Sequence, residues 1–259
     1  MKFFSIITVC KDNLEELKKT HESIIAQTIN DYEWIVIDGN SRDGTLGWLE
    51  RTNLANWISE PDKGIFDAMN KGLNKSSGKY IIFMNSGDTF ASEEVLSKAR
   101  TSIENNSYPV FIYGDSIDIS EDNNEFYRKA KNYKKLWMGM ITQHQAMFFK
   151  REKVGKTKYS EEYYLTADYA FVSEIVMKSG ENEILYLNFP ICNFSMGGVN
   201  EKYRFRAIKE DFKIRRSILK LPVITGKILY LLHYTHTVLK KANPSVRFIR
   251  HKSIKQINN

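Results

Sequence analysis

Tyr80-Ile81-Ile82-Phe83-Met84 is an unbroken apolar run that ends abruptly in Asn85-Ser86-Gly87-Asp88. Five apolar residues in succession leave no polar face. The run therefore predicts a strand covered on both sides, as in a parallel sheet with helices on each face. Such a strand delivers the residues after it to the carboxyl edge of the sheet, where α/β folds bind ligands. Asp88 is thus the first candidate site residue.

The rest of the chain repeats this arrangement. Residues 3–9 predict a strand, and Leu14, Leu17, His21, Ile24 and Ile25 then recur at helical spacing. Residues 34–37 predict a second strand ending at Asp38, and 39–44 have turn chemistry. Trp57-Ile58 predicts a short third strand. Ile65, Phe66, Met69 and Leu73 share one face of a helix closed by Gly78. After the Tyr80 strand come a helix through Val95, Leu96, Ala99 and Ile103 and a strand over 110–113. Alternation at this interval predicts a doubly wound, mostly parallel α/β sheet. Beyond Gly114 the pattern loosens into a polar hairpin over 117–128, a strand over 146–149, a helix over 168–178 and a strand over 184–194 interrupted by Pro190.

With 259 residues, 42% of them hydrophobic, the chain can bury the core of one large domain plus an appendage. Its two cysteines, Cys10 and Cys192, cannot make a disulfide framework, which predicts a reducing cytoplasm. Lys2 and the apolar run behind it are succeeded by Lys11-Asp12-Asn13 without a cleavage pattern. They are read as the first core strand, not as a secretory leader. Charge is unevenly placed. Residues 204–259 hold 14 Lys and Arg against Glu210 and Asp211, so this end carries +12 and residues 1–203 carry −5 of the net +7.

Acids recur where strands should end: Asp38, Asp43, Asp62 and Asp88, with Asp115 after the next strand. Carboxylates gathered at one sheet edge would repel a phosphate unless a divalent cation stood between, and their hard oxygens suit Mg²⁺ or Mn²⁺. Taken singly, each also suits a turn for backbone reasons.

Taken together, four segments resemble, in order and spacing, the family 2 glycosyltransferases of the GT-A fold. They are S-I-I-T-V-C-K-D-N from Ser5, I-V-I-D-G-N-S-R-D-G-T from Ile35, E-P-D-K-G-I-F-D-A-M-N-K-G from Glu60, and N-S-G-D from Asn85. The likeness covers residues 3–200 and points to bacterial enzymes that build capsule, O-antigen or exopolysaccharide. It implies a GT-A domain over 1–203, with a nucleotide-sugar half (1–115) and an acceptor half (116–203).

The resemblance also implies roles. Thr8, Asp38 and Asp43 would hold the base and ribose, and Asp62 would approach the same nucleotide. Asn85 and Asp88 occupy the metal-binding motif, with Asp88 as the ligand of Mn²⁺ or Mg²⁺; Asn85 stands where many relatives have an acid. Asp168, in the Tyr163 to Ala170 segment, resembles the general base of an inverting transfer, although Ala167 replaces a second acid common in relatives. An Asp here would also serve as a helix N-cap, and the helix dipole would keep it ionised and weakly basic. His144 and Gln145 resemble residues facing donor sugar or acceptor; His144 suits a core histidine equally. Gly197-Gly198-Val199 resembles the loop that closes over the donor.

The implied reaction moves a sugar from a nucleoside diphosphate, a UDP-sugar first, to a hydroxyl of a surface glycan or lipid-linked oligosaccharide. Two other readings remain open. A nucleotidyltransferase that makes nucleotide-sugars would normally carry a glycine-rich loop after the first strand, and residues 8–13 contain no glycine. A non-catalytic scaffold is favoured by Asn85 and Ala167 and opposed by Asp38, Asp88 and Asp168 standing together.

Residues 204–259 form a basic helical extension. A span over 221–239 would be short and would include Lys227, and a central lysine costs roughly 2.5–3.5 kcal/mol on insertion. In-plane attachment to an anionic inner membrane face is the expectation. A helix packed on the body and an oligomer or nucleic-acid contact are the alternatives. No nucleic acid is expected.

Overall fold

A computed structural model describes residues 2–52, 56–154, 157–197 and 203–243. The strands are β1 (Phe4–Cys10), β2 (Tyr32–Asp38), β3 (Trp57–Ser59), β4 (Tyr80–Phe83), β5 (Thr89–Phe90), β6 (Phe111–Ile119), β7 (Glu125–Arg128), β8 (Met147–Lys150) and β9 (Ile184–Ser195). The α-helices are α1 (Leu14–Ile25), α2 (Thr45–Arg51), α3 (Ile65–Lys75), α4 (Val95–Asn105), α5 (Arg151–Val154), α6 (Ala167–Lys178), α7 (Arg204–Ser217) and α8 (Val223–Ala242).

All nine strands join one sheet in the order β3-β2-β1-β4-β8-β6-β9-β5, with β7 paired to β6. Its first four strands are parallel, as the alternation predicts. β4 is covered on both sides. Ile81 and Phe83 join the core under α3 and α6, while Tyr80, Ile82 and Met84 join the core under α1 and α4. Each apolar side chain taken out of water there contributes about 1.5–3 kcal/mol, so the unbroken run fits only a sheet with two covers.

Past β4 the sheet departs from the simple alternation. β8 lies between β4 and β6 and runs antiparallel to both. The strand expected over 110–113 extends to Ile119 as the first arm of the β6–β7 hairpin. Pro190 falls where β9 slips register against β6, opposite Asp115; lacking an N–H, it is accommodated at that irregularity. Gly78 does not close α3, which ends at Lys75. It donates to Ser5 Oγ, and a Cβ there would come within 2.7 Å of the Phe4 and Ser5 backbone.

The basic extension divides in two. α7 packs on the body and buries Ala207, Ile208, Glu210, Asp211, Ile214 and Arg215. α8 packs on α7 through Tyr230 and Tyr234 against Phe212 and Phe205. The boundary expected at residue 204 is thus not a boundary of packing. Gly198, Val199 and residues 244–259, included in the closing loop and the extension above, lie outside the described residues.

Candidate active site

Parallel pairing of β3, β2, β1 and β4 brings their carboxyl ends to one edge. Asp38 ends β2 opposite Cys10, and Asp38, Asp43 and Asp62 all act on the Cys10 thiol, whose pKa burial raises first and these acids raise further. Three of the expected acids are therefore neighbours. Their commitments differ. Asp38 is fully buried and accepts from Ser41 Oγ and Ser59 Oγ, with Cys10 Sγ at 3.7 Å. Asp43 accepts from the Leu14 N–H at 2.7 Å and the Thr45 N–H at 3.2 Å, the first amides of α1 and α2. Burial pulls its pKa up, but these bonds and that of the Thr45 hydroxyl bring it below the ordinary value. Asp62, half-buried, accepts from Gly64 N at 2.9 Å.

Thr8, expected beside the nucleotide, is instead sealed in the core. Its hydroxyl donates to Met84 O at 2.7 Å and accepts from Trp34 Nε1 at 2.9 Å. A strand residue one step from the carboxyl edge faces whichever side its register dictates, and here that side is closed.

The turn after β4 is closed by Asp88 N donating to Asn85 O at 2.9 Å, with Gly87 at φ 98° where a side chain would be strained. Thr20 of α1 donates to Asp88 O and receives Gly87 N. The Asp88 carboxylate accepts Gln145 Nε2 at 2.7 Å and Ser195 N at 3.1 Å. Burial pushes its pKa up to about 7 against the pull of these two donors. Asn85 Oδ1 is buried and has no hydrogen-bond partner, a cost of about 1–3 kcal/mol that an incoming ligand can relieve.

Asp168 stands in the first turn of α6, but Thr166 is the N-cap. Asp168 accepts a hydrogen bond from Tyr169 N at 2.8 Å. The helix dipole alone predicts a weak base, and burial reverses this. Burial drives the Asp168 pKa up to about 7, the Tyr169 amide opposes this, and the neighbouring Asp211 and Glu210 of α7 add to it. Glu210 receives the Leu165 and Thr166 amides at 2.8 and 3.1 Å, tying α7 to the threshold of α6. Asp211 faces the fully buried Arg215 at 3.8 Å, and Arg215 also donates to Trp137 O and Met138 O.

A short 3-10 turn, His144–Ala146, reaches Asp88 on one side and Tyr159 on the other. Gln145 holds Asp88, while His144 Nε2 lies 2.6 Å from the Tyr159 hydroxyl, whose ionisation the charge of Asp168 opposes. His144 is stacked on Phe83, and burial lowers its pKa to about 3. It is a neutral core histidine supporting Tyr159.

The family described as "Glycosyl transferase family 2" matches residues 5–173, which include Asp38, Asp88 and Asp168. The chain belongs to glycosyl transferase family 2. A glycosyltransferase of Mycobacterium tuberculosis is 28% identical over 215 residues, covering 81% of each chain. Among solved structures, Staphylococcus aureus TarS bound to UDP-GlcNAc superposes with a TM-score of 0.67 at 14% identity, over 96% of this chain and 76% of that one. The mannosyltransferase PcManGT of Pyrobaculum calidifontis, bound to GDP-Man and Mn²⁺, gives 0.65 at 16% identity, over 90% and 69%. The sheet is thus that of a GT-A glycosyltransferase.

The transferase's donor set fits a divalent cation shared with substrate. Among the described residues there is no group of three His, Cys, Asp or Glu side chains that could hold a metal. The β4 turn offers one carboxylate and the unpartnered Asn85 Oδ1, both hard oxygens. Mg²⁺-type ions are commonly held by one or two carboxylates plus substrate phosphates.

Two acids of β6 are held by its neighbours: Asp118, unmarked in the sequence, and Asp115, expected after its strand and found within it. Asp118 is fully buried, paired with Arg128 and bonded by Gln143 Nε2 at 2.9 Å. Asp115 lies within β6, where it accepts from the Tyr186 and Tyr127 hydroxyls. Glu210 and Asp211 enter the sequence only as charges. The spacing of Ala207, Ile208, Asp211 and Ile214, which shares one helix face, is the one signal that could reveal them.

Two tests arise in this transferase. Asp43→Ala should lower stability by about 1–2 kcal/mol in urea unfolding, because one carboxylate satisfies the first amides of two helices; parallel UDP titration separates that loss from lost nucleotide contact. Asp211→Asn removes a like charge from beside Asp168. Its pKa should fall, and the acid limb of the kcat/KM profile should move to lower pH.

Proposed function

We propose that the enzyme is an inverting, metal-dependent transferase that moves a sugar from a nucleoside diphosphate, a UDP-sugar first, to a hydroxyl of a bacterial surface glycan or lipid-linked oligosaccharide. The observation that carries this reading is the placement of Asp168 in the first turn of α6, where burial beside Asp211 and Glu210 raises its pKa to about 7, together with the buried Asp88 carboxylate after β4. A base of that pKa is half ionised at neutral pH and strong enough to take a hydroxyl proton.

In this scheme the nucleotide lies over the loops after β1 and β2, which Asp12 N clasps to Ser41 Oγ at 2.8 Å. Asp62 and Asp43 line its approach, Asp38 holds the loop from beneath, and Asp88 and Asn85 face the diphosphate. Asp88, with Asn85 beside it, would hold a divalent cation, Mn²⁺ or Mg²⁺, which would supply charge neutralisation to the leaving diphosphate. Asp168 accepts the acceptor hydroxyl proton as that oxygen bonds to the anomeric carbon from the side opposite the breaking bond to the diphosphate, so the configuration inverts. Gln145 keeps Asp88 in place. The UDP-GlcNAc of TarS and the GDP-Man and Mn²⁺ of PcManGT support a nucleoside diphosphate donor and a divalent ion. A lipid-linked acceptor places the work at the inner face of the cytoplasmic membrane.

A thermal-shift screen of UDP-, GDP- and CMP-compounds with and without Mn²⁺ tests the donor, since a ligand of the folded state raises the unfolding temperature with its affinity. A shift with UDP that depends on Mn²⁺ is expected. No shift with any nucleotide, or pyrophosphate release from a triphosphate and a sugar phosphate, would overturn the reading.

A further inference from the structure

α8 is reversed relative to an ordinary surface helix. Its buried residues are Gly226, Leu229 and Thr237, and Gly226 lets it lie close to the Phe212 ring of α7. The outward side carries Ile224, Ile228, Leu231, Leu232, Val238 and Leu239, between 44% and 74% exposed. At roughly 100° per residue these six fall within an arc of about 120°, an apolar stripe interrupted by Thr235 and pointing away from the protein.

The stripe does not end with the helix. Thr225 opens onto a groove of about 640 Å³ between the Tyr133–Met138 turn, the end of α6 and the start of α8, whose walls include Leu136, Trp137, Val176, Leu219 and Leu221. Trp137 is 38% exposed at its rim. Lys220 and Lys227 are exposed beside the apolar surface, Lys241 lies over the Phe205 ring of α7, and the sequence from residue 212 to residue 259 contains neither Asp nor Glu.

We propose that this stripe and groove form a docking face for an anionic phospholipid bilayer, with α8 lying in the plane of the interface. The charge pattern selects the occupant. A second copy docking through the same stripe would oppose lysine to lysine with no acid on α8 to answer them, whereas anionic headgroups attract every lysine at the rim. Length selects the orientation. Among the described residues no helix is long and apolar enough to cross a membrane, and an exposed apolar face flanked by lysines lies along the boundary of headgroups and acyl chains. Trp137 suits that boundary as well, because indole prefers the interface. The docking face stands apart from the choice of donor, so failure of one reading leaves the other in place.

Flotation of the full chain with phosphatidylcholine vesicles, with and without phosphatidylglycerol, is the test. The protein is expected to float only with the anionic vesicles and to be released by high salt. The double variant Ile228→Asp, Leu231→Asp should lower the floated fraction roughly tenfold while its nucleotide-dependent thermal shift stays unchanged. Brominated acyl chains should quench Trp137 fluorescence, and Trp137→Phe, which keeps the groove apolar, should remove the quenched component. Absence of flotation with anionic vesicles overturns the proposal, as does undiminished flotation of the double variant. A dimer in light scattering that the double variant dissolves, with no lipid association, gives the face to a second copy instead.

Discussion

Asp168→Asn is expected to lower kcat by roughly 10³-fold to 10⁴-fold while leaving the affinity for UDP unchanged. The wild-type rate should rise with pH through about 7, because the carboxyl must lose its proton to act and burial beside Asp211 and Glu210 raises its pKa to that value. The variant's residual rate should lose this limb. An isosteric amide keeps the acceptor for the Tyr169 amide, so the helix start is undisturbed. Single-turnover transfer measured across pH, with UDP titration alongside, separates chemistry from binding. A variant that transfers sugar at the wild-type rate would remove Asp168 from the mechanism.

Asp88→Ala should reduce kcat/KM by about 10³-fold, several kcal/mol of lost stabilisation for the departing diphosphate. Nucleotide affinity should also cease to depend on Mn²⁺. The substitution strands Gln145 Nε2 and the Ser195 amide, so part of the effect would be structural. Asp88→Asn provides the control, since the amide oxygen can still accept from Ser195 and Gln145 can turn its own oxygen toward the new amine. Wild-type activity of that variant in chelator would end the metal assignment.

The parallel block of the fold was legible because unbroken apolar runs have one stable placement, between two covers. Asp88 was legible for the same reason: it comes after such a run through a turn whose Gly87 has a left-handed conformation. Thr8 was misplaced because the side a strand residue faces depends on register, which alternation cannot supply when both faces are apolar. β8 was recognised as a strand but not as the element between β4 and β6, since antiparallel insertion is decided by partners about 70 residues away. The high pKa of Asp168 was hidden because its causes, Glu210 and Asp211, belong to a helix that composition had marked as a charged appendage. Net charge describes a segment's average, and two acids turned inward are lost in it.

The bond from the Ser195 amide to Asp88 spans 107 residues. β5 and β6 likewise wait for β9 before they have their full complement of partners. During synthesis the four parallel strands can assemble from the first half of the chain, while the Asp88 carboxylate lacks one of its two donors until β9 has emerged. Loop closure over such a separation is slow, and an unpaired strand edge invites other chains in the meantime. Truncation before Ser195 should therefore yield aggregates rather than an inactive but soluble nucleotide-binding half. Synthesis itself sets the moment at which this catalyst can first hold its donor.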